Sequence, residues 1–228
     1  MIMGLRIFFL FICLLLSGCA DAEDIIGGDE VQPHSRPYMA FVKILPPGGK
    51  PIRCGGLLIR DDYVLTAAHC AQGKISVILG AHDIMAAEVS RQEIEVCNAI
   101  QHPNYALNQK YDIMLLKLGK KAEINRYVLP LPIDISNSNL KPGRVCSVAG
   151  WGECNAFNDE QSNLLREVNL EVVSTGKCST SYRDFICAGR KNTGRVTGLV
   201  MEEPGGRVTL RMRDRKQSLL DPWICYER

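Results

Sequence analysis

Apolar and polar positions along the chain fall into short runs broken by turn formers. Tyr38-Met39-Ala40-Phe41-Val42, Gly56-Leu57-Leu58-Ile59, Tyr63-Val64-Leu65-Thr66 and Ile75-Ser76-Val77-Ile78-Leu79 each have strand length. Glu93-Ile94-Glu95-Val96 and the stretch from Glu167 to Val172 alternate polar and apolar residues. That period of two sets one face of a strand against a core. Ile113 to Leu118 and Val145 to Ala149 read as more deeply buried strands, and Pro46-Pro47-Gly48-Gly49 and Pro142-Gly143 mark turns between runs. Many short strands at this spacing predict an all-β barrel or sandwich.

The first 24 residues follow another pattern. Arg6 precedes an apolar run from Ile7 to Leu16, shorter than the roughly 20 residues a membrane-crossing helix needs. Ala20-Asp21-Ala22 supplies the small residues of a signal-peptidase site. The reading is a signal peptide over 1–22, a Glu23-Asp24 dipeptide, and a mature chain starting at Ile25. Leu16-Ser17-Gly18-Cys19 also fits a bacterial lipoprotein signal, but the downstream cysteines favour a secreted animal protein. No later run is long enough to span a bilayer, so no membrane association is expected after the signal is removed.

Composition narrows the function classes. The 228 residues are 46% hydrophobic and 23% charged, which describes a chain with a core rather than a disordered one. Lys+Arg total 27 against Asp+Glu 25, and a net charge of +2 leaves no footprint for nucleic acid. The balance shifts after Cys187-Ala188-Gly189: residues 190–228 hold 9 basic and 5 acidic side chains, and their alternation survives only in scraps such as Arg207-Val208-Thr209-Leu210. The run Arg211 to Lys216 reads as solvated chain.

Beyond the signal, eight cysteines remain, at 54, 70, 97, 146, 154, 178, 187 and 225. No CxxC or HxxxH occurs, so metal binding has no ligand cluster and disulfides in an oxidising compartment are the expected use. No cofactor is implied.

Four further motifs carry chemistry. Thr66-Ala67-Ala68-His69-Cys70 places a histidine after a buried run, and Tyr111-Asp112-Ile113-Met114-Leu115-Leu116 opens a strand with a carboxylate. Gly150-Trp151-Gly152 follows Cys146-Ser147-Val148-Ala149, and Ile25-Ile26-Gly27-Gly28 follows the acidic dipeptide. In this order and spacing they resemble the chymotrypsin-fold serine proteases. Pro33-His34-Ser35-Arg36-Pro37-Tyr38-Met39-Ala40 and the two-residue pro-segment are similar to the granzyme, chymase and cathepsin G branch. The resemblance runs from Ile25 to about Gly189.

The resemblance implies two six-stranded antiparallel barrels, with His69 as general base and Asp112 as the carboxylate that orients it. It implies release of Ile25 by processing, disulfides Cys54–Cys70 and Cys178–Cys187, and a monomeric enzyme acting on protein or peptide substrates. Secretion or storage in a secretory granule follows from the same branch. The division implied is a protease domain over 25–189 and a divergent, poorly ordered tail over 190–228.

One part of the pattern is missing. The family's Gly-Asp-Ser-Gly-Gly segment has no counterpart after Gly189, where the only serine is Ser218 in Lys216-Gln217-Ser218-Leu219-Leu220. No glycine flanks it, so no tight turn presents its hydroxyl and no paired N–H groups form an oxyanion hole. The second barrel is therefore expected to be incomplete and this chain inactive. Cys146 loses its usual partner and is expected to be unpaired or paired opportunistically, and Cys97, Cys154 and Cys225 lie outside the shared disulfide pattern. Two functions compete: a granzyme-like endopeptidase whose C-terminal sequence is altered in this product, and a non-catalytic homologue that acts by binding. A disulfide-stabilised structural protein is a third reading.

Overall fold

The short strands assemble into two antiparallel sheets in the computed structural model, which describes residues 28–108, 111–133, 141–152, 161–174, 187–189, 196–200 and 211–213. The first strand, β1 (Asp29–Glu30), belongs to the second sheet. The next six are β2 (Met39–Leu45), β3 (Ile52–Arg60), β4 (Tyr63–Thr66), β5 (Lys74–Leu79), β6 (Gln92–Gln101) and β7 (Met114–Leu118). They close a barrel in the order β2-β3-β4-β7-β6-β5, with every neighbouring pair antiparallel.

Side-chain alternation explains why these segments close on themselves. Ala40, Val42 and Ile44 of β2 point inward and are wholly buried, while Lys43 and Leu45 between and beyond them face solvent. Met114, Leu116 and Leu118 of β7 meet them across the same interior. Burying each such large aliphatic side chain contributes roughly 1.5–3 kcal/mol. Met39 and Phe41, on the opposite face of β2, are also buried because the second sheet covers them. The Phe41 and Trp151 rings meet edge to face at 5.8 Å, and the Trp151 indole N–H donates to the His82 carbonyl at 3.0 Å.

Close approach sets one residue choice in β3. A Cβ at Gly56 would lie 2.8 Å from Val64 Cγ1 and 2.9 Å from the Leu65 carbonyl oxygen, so only glycine lets β3 press against β4. The turn of that hairpin is gripped from β7 and the segment beyond it. Lys117 donates to Asp62, Lys121 donates to Asp61 at 2.7 Å, and the Lys117 ammonium sits 4.5 Å from the centre of the Tyr63 ring. The Lys117 hydrogen bond holds the Asp62 carboxyl below its ordinary value despite partial desolvation, and Asp62 in turn raises Lys117.

The second sheet is built around β9 (Arg166–Val173). One edge of β9 pairs along β8 (Val145–Gly150), from Val145 opposite Glu171 to Gly150 opposite Arg166. Its other edge is shared: β10 (Cys187–Gly189) takes the end near Val173, and β1 takes Arg166 and Glu167. β11 (Val196–Val200) pairs with β10, and β12 (Arg211–Arg213) pairs with β11. Among the described residues this sheet is an open path rather than a closed ring, next to the closed first barrel. β11 and β12 lie in the tail, and the charge run begun at Arg211 starts on β12. The other tail residues lie outside the described ones.

The segment from Gly28 to Pro37 straps the two sheets together. Arg36 binds Glu167 with two parallel hydrogen bonds of 2.6 and 2.7 Å, and Arg166 donates to the Gly28 carbonyl at 2.7 Å. The Val31 N–H donates to Leu165 at 3.1 Å, and the His82 ring meets Glu30 at 2.9 Å.

Two outcomes test this account. The Arg36 and Glu167 side chains are only 13% and 12% exposed, so Arg36→Ala takes the paired guanidinium away from a poorly hydrated carboxylate. Urea unfolding should show a loss of about 3 kcal/mol for Arg36→Ala, and less than the sum of the single losses for Arg36→Ala/Glu167→Ala. The lowered Asp62 makes its ion pair with Lys117 a stabilising element above its ordinary value of 3.8, lost as pH falls through the depressed folded value. Asp62→Asn should flatten that acid limb of the stability–pH curve while leaving the slope near neutrality unchanged.

Candidate active site

At the end of β4 the chain leaves the barrel through Ala67 and enters a single 3-10 turn, Ala68–Cys70. Ala67 has extended backbone angles and no side-chain cap, so the turn depends on partners from elsewhere in the chain. Thr66 anchors its approach by donating to the Gly55 carbonyl at 2.8 Å. Cys70 anchors its end through a disulfide to Cys54 on β3, with 6.5 Å between Cα atoms.

His69 is held by Asp112 at two points. Its backbone N–H donates to Asp112 Oδ1 at 2.9 Å, and its Nδ1 lies 2.8 Å from Oδ2. The Asp112 side chain is 1% exposed and that of His69 is 19% exposed. An ionised carboxylate that deep needs charged or hydrogen-bonding partners, and both of its oxygens have them. With Nδ1–H directed at Asp112, the tautomer places the free lone pair on Nε2. Nε2 is buried and has no hydrogen-bond partner among the described residues.

The neighbours of Asp112 are braced as well. His102 donates its backbone N–H to the Ile113 carbonyl at 2.9 Å, and its ring stacks on Tyr111 with 4.5 Å between centroids and 14° between planes. Gln101 donates to the Ala68 carbonyl at 2.8 Å, and Gln72 donates to the His69 carbonyl at 2.7 Å. Neither glutamine carries a sequence signal, because each binds a backbone carbonyl that no motif marks.

Cys54, His69 and Cys70 offer ligand atoms within 4.8 Å of one another. Two of the three are joined in the disulfide and have no thiolate to offer a metal ion.

Other residues singled out from the sequence fall as follows. Cys97 is a free, exposed thiol at a bulge of β6. Cys146 is disulfide-bonded. It is 1% exposed within β8, where a bonded sulfur suits the apolar surroundings. Cys187 lies on β10, its side chain outside the described atoms. Ile25, Cys154, Cys178, Ser218 and Cys225 lie outside the described residues, so the Cys178–Cys187 pairing does too.

A closed six-stranded antiparallel barrel, a second antiparallel sheet and a histidine–aspartate pair at the barrel end define the serine proteases of the trypsin fold. Residues 25–197 match the family model described as Trypsin. The chain is 47% identical to granzyme E of Mus musculus over 186 residues, covering 79% of this chain and 75% of that protein. It is 46% identical to duodenase-1 of Bos taurus over 199 residues, covering 82% and 78%, and 46% identical to granzyme B of Homo sapiens over 177 residues, covering 77% and 71%. A solved structure of GrC superposes with a TM-score of 0.70 at 38% identity, covering 87% of this chain and 92% of that one. The chain belongs to the trypsin family of serine proteases, in its granzyme and mast-cell protease branch.

The disulfide is expected to hold the His69 turn more than the barrel as a whole. Cys54→Ala/Cys70→Ala opens a loop of 16 residues and should lower stability by roughly 3 kcal/mol in denaturant unfolding. Amide exchange should rise most sharply at Ala68, His69 and Cys70.

Proposed function

We propose that this chain is a granzyme-like family member that keeps the proton-handling half of the peptidase machinery and lacks the nucleophilic half. The observation that carries this reading is the mismatch between site and sequence. His69 and Asp112 are locked at two points, yet the one serine after Gly189 is Ser218, with no flanking glycine. In the complete machinery His69 Nε2 takes the proton of a serine hydroxyl as that oxygen attacks the scissile carbonyl, then returns it to the leaving amine. Asp112 fixes the tautomer and stabilises the imidazolium formed between those steps. Without a glycine-framed serine there is neither an attacking oxygen nor the adjacent N–H groups that stabilise the tetrahedral oxyanion.

The remaining roles follow from the same family. Residues 1–22 direct export, Glu23-Asp24 are removed in processing, and Ile25 becomes the new N-terminus. The Cys54–Cys70 bond supports an oxidising destination, either outside the cell or in a secretory granule. Residues 25–189 form the protease domain and 190–228 its divergent extension. The chain is monomeric, and protein or peptide substrates belong to a product of the same gene that carries the serine segment.

The test combines purified chain, processed to begin at Ile25, with a fluorophosphonate probe and a panel of peptide and ester substrates. No serine should be labelled, no substrate cleaved, and His69→Ala should change nothing measurable. Stoichiometric labelling that disappears in His69→Ala would overturn the reading. Sequencing the transcript across the codons for Gly189 to Val200 checks independently whether native sequence stops there.

A further inference from the structure

We propose that Gln101 is a positioning residue that sets the orientation of the His69 main chain against Asp112. The inference rests on reading His69 and Asp112 as base and orienting carboxylate, and it concerns their alignment rather than turnover.

A single peptide group links Gln101 and Asp112. The carbonyl of Ala68 and the N–H of His69 belong to one planar unit, and a rigid plane has its orientation fixed when both ends are held. One end is held by Asp112, which accepts the His69 N–H at 2.9 Å. The other end is held by Gln101, whose Nε2 donates to the Ala68 oxygen at 2.8 Å. The same oxygen otherwise accepts only the longer turn bond from the Ala71 N–H among the described backbone bonds, at 3.2 Å. Rotation of this peptide would pull the N–H off Oδ1, and the carboxylate would turn with it, carrying Oδ2 away from Nδ1.

The register explains why Gln101 is the residue that does this. It is the last residue of β6 and pairs with Met114 at the head of β7, two positions beyond Asp112. Met114 in turn pairs with Thr66 on β4, the last strand residue before the turn that carries His69. Gln101 therefore stands on the strand that flanks Asp112 and reaches over to the turn on the far side. Ala68 is 1% exposed, so its carbonyl has little access to water if the glutamine is removed. A carbonyl that accepts a hydrogen bond also makes the N–H of its own peptide a stronger donor, which ties Gln101 to Asp112 electronically as well as geometrically.

The experiment is NMR on the uniformly labelled full chain, with Gln101→Leu as the principal variant. The His69 amide proton should move upfield, and its hydrogen exchange should accelerate by about five-fold or more, the factor that loss of a bond worth about 1 kcal/mol produces. Gln101→Glu, similar in shape but without a donor at neutral pH, should do the same, and Gln101→Lys, which restores a donor, should return the signal toward wild type. Gln92→Leu is the control. It sits at the other end of the same strand and exchanges hydrogen bonds of 2.8 and 2.9 Å with Glu123. It should leave the His69 amide unmoved.

A folded Gln101→Leu or Gln101→Glu chain whose His69 amide shift and exchange match wild type would overturn the proposal. So would a change of equal size in Gln92→Leu. If Gln101→Leu does not fold, Gln101→Glu and Gln101→Lys decide the question by the presence or absence of the donor. None of these readouts needs a nucleophile, so their failure is distinct from failure of the inactivity expected in the probe assay.

Discussion

The site depends on the pairing of β4 with β7. Those strands are separated by the whole of β5 and β6 in sequence, and they come together only because the barrel closes. Their register places Thr66 opposite Met114, which brings His69 and Asp112, 43 residues apart in the chain, to hydrogen-bond distance. A slip of one residue would turn the apolar face of β7 outward and remove Asp112 from the turn. The packing that forbids the slip is the buried set Met114, Leu116 and Leu118, so the hydrophobic core and the placement of the polar pair are one constraint.

The barrel then offers its outer face as a second platform. Met39, Phe41, Leu57 and Ile78 are apolar on the side a solitary barrel would present to water, and Trp151 and Leu165 cover them. The polar contacts around this layer serve orientation more than adhesion. Arg36 and Arg166 each fix a point of the N-terminal segment on β9, and Trp151 fixes the segment around His82. Apolar burial supplies the attraction, and directional hydrogen bonds choose one arrangement among those it would allow.

Much of this was legible in the chain, for reasons that differ between elements. β4, β5 and β7 show in the sequence because their faces alternate cleanly or are fully apolar. β3 reads as Gly56 to Ile59 yet spans Ile52–Arg60, because Arg53, Cys54 and Gly55 before the apolar run give no strand-like alternation. β6 reads as Glu93 to Val96 yet runs to Gln101, because the bulge at Cys97 breaks the alternation there. β10, β11 and β12 have no such period. They are held as additions to an existing edge, through backbone bonds that any side chain permits. His69 and Asp112 stand out through the residues around them, whereas Gln101 does not, since its partner is a carbonyl oxygen common to every residue.

The divided edge of β9 has a consequence for how the chain assembles as it is made. Strands β2 to β7 need only each other, so the barrel can close as soon as Leu118 has left the ribosome. The strap that precedes them has no such freedom. Gly28 meets Arg166 across 138 residues, so the strap must wait, without this partner, until β9 has been synthesised. Contacts of that span are slow to form, because a long loop must be closed before any bond rewards it. The barrel is therefore the early folding unit, and the N-terminal strap acts as a late clasp, fastened only once β9 exists to receive it.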